Sequence, residues 1–72
     1  MTIGNNRGGG QGPAGEVLFE FTQIGPQMRV AAIDVATAIE VVIIAPVSAS
    51  RAQMQTNVLA KLRRRLAARA NE

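Results

Sequence analysis

A chain of 72 residues has room for one small domain, and this one contains neither cysteine nor histidine. That composition excludes a disulfide framework and thiolate metal sites, and it removes the commonest metal ligand and general base. The formal net charge of +3 is unevenly spread: residues 1–15 carry +1, residues 16–47 carry −3 and residues 48–72 carry +5. Domains of this size bury too little surface to be robust alone and usually add cross-links, a metal or self-association. Self-association is the supplement this composition leaves.

The chain opens on "TIGNNRGGGQGPAG", which is rich in glycine and lacks apolar periodicity. Residues 1–15 are predicted to be a disordered Gly-rich tail, because they cannot bury enough apolar surface to offset their chain entropy. A lone "RGG" at Arg7 to Gly9 is too isolated to mark an RNA-binding segment, which uses many such triplets. The tail lacks the charged start and apolar stretch of a secretory signal. The longest apolar run, "VVIIAPV" from Val41, is too short to span a bilayer and is broken by Pro46. The expected setting is cytoplasmic.

A single domain is predicted over residues 16–72. From Glu16 the pattern alternates with period two: "EVLFEFTQI" opposes Val17, Phe19 and Phe21 to Leu18, Glu20 and Thr22. Gly25-Pro26 marks a turn, "QMRVAAID" alternates again, "DVATA" forms a second turn, and "IEVVIIA" reads as a third strand. Connections this short make the strands an antiparallel meander. Charge placement selects the register. If Thr22 faces Arg29 and Ile33 faces Glu40, then Glu20, Arg29 and Glu40 share one face. The opposite face becomes Val17, Phe19, Phe21, Met28, Val30, Ala32, Ile39, Val41 and Ile43, with Asp34 at the turn. A one-residue slip in either hairpin would put a charge among those apolar side chains.

Pro46 ends the third strand, and Ser50-Arg51-Ala52-Gln53 fits an S-x-x-Q capping box, with Ser48 as the alternative cap. Met54, Val58, Leu62 and Leu66 recur every fourth residue with Leu59 beside them, one apolar stripe on a helix of about 18 to 20 residues. The stripe needs a surface to cover and the apolar sheet face needs a lid. The fold class predicted is α+β: a three-stranded antiparallel β-meander packed against one C-terminal α-helix.

Two surfaces are left over. The outer sheet face carries Leu18, Ile33, Val42 and Ile44 among its polar residues, and the third strand is apolar on both faces although a meander places it at an edge. A bare apolar edge invites pairing with another chain. Either that strand is central in a different strand order or a second copy covers it; the sequence favours a homodimer formed through that strand or through the outer face, with an unknown protein partner as a further possibility. The second surface is "KLRRRL": Lys61, Arg64 and Arg65 fall on one helix flank and Arg63 on the other. Cations near a helix C-terminus interact favourably with its dipole, and a basic cluster also attracts phosphate backbones without reading sequence. Phe19 and Phe21, the only aromatics, belong to the core face, so base stacking is not provided for. Nucleic-acid contact, if made, is non-specific. Three strands and a helix resemble the latter part of a double-stranded-RNA-binding domain, but the lysine-rich start of that family's last helix is replaced here by "SASRAQMQ". No membrane contact is expected, since the apolar helix stripe is needed to cover the sheet.

Chemistry is poorly provided for. No serine has a base, the only lysine lies about three helical turns from Ser50, and the glycine run has neither a strand-to-helix turn nor a Walker lysine. No catalytic, cofactor-binding or metal residue is assigned, and no enzyme activity or cofactor is expected.

The segment "EVLFEFTQIGPQMRVAAIDVATAIEVVIIAPVSASRAQMQTNVLAKLRRRL" resembles an uncharacterised family of short bacterial proteins, mostly alphaproteobacterial. The shared pattern runs from "EV-FEF-QIG" through "V-AID-AT--EV" and "P-SAS" to "A--KL", over Glu16 to Leu66. Members often carry glycine after the threonine of the second hairpin, where this chain has Ala38; glycine there would suit a positive φ. The resemblance implies the fold boundaries and a bacterial cytoplasmic setting, and no activity. The reading reached is a small non-catalytic interaction or assembly module, homodimeric through its sheet. The alternative is a nucleic-acid or ribonucleoprotein-associated protein that contacts phosphates through its basic helix.

Overall fold

The alternating segments fold as strands and the four-residue stripe as a helix in the computed structural model, which describes residues 8–12 and 15–70. Strands β1 (Gly8–Gly12), β2 (Gly15–Ile24), β3 (Gln27–Asp34) and β4 (Glu40–Pro46) precede helix α1 (Arg51–Ala70). The strands form one antiparallel sheet in the order β1-β2-β3-β4. The fold is α+β, and β2, β3 and β4 are the meander read from the sequence.

The register is the one that charge placement selects. Thr22 pairs with Arg29 and Ile33 with Glu40. Val17, Phe19, Phe21, Val30, Ala32 and Val41 are buried on one face and pack against Met54, Val58 and Leu62 of α1. Met28, Ile39 and Ile43 pack around them, with Leu59 and Leu66 on the helix side. Ala32 lies between Phe19 and Val41 across the strands. The guanidinium of Arg51 sits 4.3 Å from the centroid of Phe21, so the first helical turn covers the end of that row with a cation–π contact.

The caps and turns follow local chemistry. Ser50 Oγ accepts the Gln53 amide at 3.0 Å, which makes Ser50 rather than Ser48 the N-cap of α1. Gly25 has φ 60 and is followed by proline, so the β2–β3 hairpin closes with glycine at the first central position of a two-residue turn. In the β3–β4 hairpin, Asp34 Oδ2 accepts the Thr37 amide at 3.0 Å and the Thr37 hydroxyl at 2.7 Å. Thr37 Oγ1 in turn accepts the Ile39 amide at 3.2 Å. Asp34 is fully buried at the end of the core face, so the one charge read as belonging to the turn builds that turn. Ala38 closes the loop at φ 61, the conformation in which L-residues other than glycine are disfavoured.

The segment expected to be a disordered tail contains a strand: Gly8–Gly12 pair antiparallel with β2, from Gly8 opposite Phe19 to Gly12 opposite Gly15. Sheet pairing needs only backbone amides and carbonyls, and β2 offers an edge of them, so a strand can form without any side-chain pattern to announce it. Gly15, at φ 109, supplies the unusual backbone where this hairpin meets β2. Among the described residues the paired region therefore begins at Gly8, ahead of Glu16. The remaining tail positions, including Arg7 of the "RGG" triplet, lie outside the described residues.

Candidate functional site

With α1 on one face of the sheet, the other face has no second layer among the described residues. The register sets its residues in cross-strand rows: Leu18, Ile33 and Glu40; then Glu20, Ala31 and Val42; then Thr22, Arg29 and Ile44. The apolar members fall on a diagonal, from Leu18 and Ile33 through Val42 to Ile44. Leu18, Ile33 and Val42 are half-buried by their neighbours, and Ile44 is 57 % exposed. Ala31, at the centre, is fully buried. Its methyl group is too short to emerge between Glu20 and Val42, so the middle of the face is shallow and the aliphatic side chains rise around it. Glu20 and Glu40 flank the diagonal, and Arg29 lies beside Ile44. The four residues predicted for a partner surface are thus brought together on one face. Arg29, on the face where charge placement put it, and Ala31 complete that surface.

The basic cluster is divided by the structure. Arg63, Arg64 and Arg65 are exposed on α1, which contains no acidic residue along its 20 residues. Lys61 is also solvent-exposed, but its ammonium has a partner: Nζ donates to the backbone carbonyl of Val42 at 2.7 Å. Of the four residues predicted to contact phosphate, Lys61 is engaged by the sheet and the three arginines project from the helix.

The described residues offer little for chemistry. No three His, Cys, Asp or Glu side chains among them lie close enough to hold a metal ion. Asp34 is the only fully buried polar side chain described, and its Oδ1 has no hydrogen-bond partner. Its other oxygen is committed to the hairpin loop. No helix among the described residues is long and apolar enough to cross a membrane.

In comparison with known families, residues 14–70 fit the domain of unknown function DUF6898, and the chain belongs to that family. No curated protein and no solved structure matches the chain. The matched span begins just before β2, so β1 lies ahead of it, and it ends with α1.

Proposed function

We propose that this member of the DUF6898 family is a small non-catalytic assembly module that forms a homodimer through the open face of its sheet. The observation that carries the reading is the continuous aliphatic diagonal of Leu18, Ile33, Val42 and Ile44 on a face without a covering layer among the described residues. Scattered surface aliphatics are ordinary, but these four are contiguous and lie over a buried alanine. A two-fold pairing of the face with itself would bury the diagonal from both sides. The face carries Glu20, Glu40 and Arg29, so each arginine can meet an acidic side chain of the other copy. A chain this small gains a second hydrophobic layer in this way, which is what its composition lacks. The bacterial, cytoplasmic setting expected from the sequence belongs to the same reading.

The test is Ile44→Lys, which places a charge at the most exposed point of the diagonal. Light scattering on the eluting protein should give twice the chain mass for the wild type and the single mass for the variant. Equal masses for the two proteins would count against the face.

A second reading is favoured by one specific feature. Surface helices usually mix acidic residues with basic ones, which stabilises them through pairs one turn apart, whereas α1 has cations and no acid. Arg63, Arg64 and Arg65 could therefore meet nucleic-acid phosphates by charge alone. Arg64→Glu combined with Arg65→Glu should then abolish retention of a mixed-sequence RNA or DNA at low salt, and undiminished retention would eliminate this surface.

A further inference from the structure

Arginine fills every basic position of the chain except one, and that exception, Lys61, is the residue whose side chain touches the edge of the sheet. The Asp34 amide donates to the Ile39 carbonyl at 2.9 Å, which places Ile39, Val41 and Ile43 in the hydrogen-bonded pairs with β3. In an antiparallel ladder the alternate residues turn their amides and carbonyls the other way. Glu40, Val42 and Ile44 therefore direct theirs to the open side of β4, and the Lys61 ammonium reaches the central one of these carbonyls. Pro46, at the end of the strand, has no amide to offer on that side.

We propose that Lys61 is a latch on the edge of β4, and that the strand it keeps out is the β4 of a second copy of this chain. Antiparallel pairing of two β4 strands about Val42 would set Val42 against Val42 and Glu40 against Ile44. It would keep both apolar faces of the strand in register, as an edge that is apolar on both sides favours. The same pairing carries the two α1 helices side by side over one continuous sheet. Arg64 and Arg65 lie one turn beyond Lys61 on its flank of the helix, so each helix would turn that cationic flank toward the other. The hydrogen bond blocks the central carbonyl and the two arginines add like-charge repulsion. Lysine suits this position because an acyl group on Nζ removes its charge, a change that arginine does not readily undergo.

This inference is independent of association through the sheet face, and the experiment separates them. The full chain carrying Ile33→Lys, which puts a charge on the outer face, is compared with the same chain carrying Lys61→Met as well. Met keeps the apolar stem and loses the ammonium. Amide exchange is followed at Val42 and Ile44, whose amides point to the open edge. As a second route, the Ile33→Arg chain is treated with an acetylating reagent, because Lys61 is then its only side-chain amine. Opening of the latch predicts exchange at Val42 and Ile44 slowed by roughly tenfold or more at high protein concentration, together with a doubled mass. Unchanged exchange and mass in both the Met variant and the acetylated chain would overturn the proposal. So would a doubled mass without protection of those two amides, since that signal belongs to the face.

Discussion

The two faces of the sheet are made by the same strands and differ in what lies above them. On the inner face Val17, Phe19, Phe21, Val30, Ala32 and Val41 meet a helix stripe of matching period, and each is buried. On the outer face Leu18, Ile33, Val42 and Ile44 alternate with charged and polar residues and remain half-buried or exposed. The inner face shows an apolar surface whose partner is in the chain. The outer face has a smaller apolar surface of the same chemistry, and no partner for it lies among the described residues. The contrast teaches that the register, by gathering Glu20, Arg29 and Glu40 outside, protects the core without making the outer face fully polar.

The comparison can be broken most forcefully from the inside. Phe19→Ala leaves a large cavity beneath α1 and should cost about 3–5 kcal/mol. In a domain this small that is much of the total stability, and denaturant unfolding should find the variant largely unfolded near room temperature. Asp34→Ala, at the end of the same face, strips the acceptor from the Thr37 amide and hydroxyl. A loss of about 1–3 kcal/mol is expected by the same measurement. Ala38→Gly acts in the opposite direction. Relief of the positive φ, offset by the greater freedom of an unfolded glycine, should stabilise by up to about 1 kcal/mol, read as a rise in the denaturant midpoint. The smallest change in stability is expected outside: at concentrations low enough for the wild type to be monomeric, Ile44→Lys should stay within about 0.5 kcal/mol of it by unfolding, because the side chain is then largely in water. Its effect is on association instead, and a large loss of stability there would erase the distinction between the two faces.

Much of this was legible because independent signals agreed. Charges placed the hairpin register, the proline and serine placed the helix start, and the four-residue stripe placed the lid. The family resemblance led to the expectation of a positive φ at Ala38, and its backbone has φ 61. The fourth strand was not legible. Gly8–Gly12 pair through backbone alone, and four of the five residues have no side chain whose alternation could be read. The Lys61 contact was equally hidden, because it joins a side chain to a main-chain carbonyl 19 residues away in sequence. Helical spacing groups Lys61 with Arg64 and Arg65, but spacing does not tell whether a cation meets water, phosphate or the edge of its own sheet.

The most direct test of the central claim is the mass of the wild-type chain in solution beside that of Ile44→Lys. Both are eluted from a sizing column with light scattering, refractive index and absorbance at 260 nm. With no tryptophan or tyrosine the chain itself absorbs little there, so any nucleic acid that travels with it is visible. Dimerisation through the open sheet face predicts a clean wild-type peak at twice the chain mass and a variant peak at the single mass. A wild-type monomer, or a dimer that Ile44→Lys leaves intact, would contradict it.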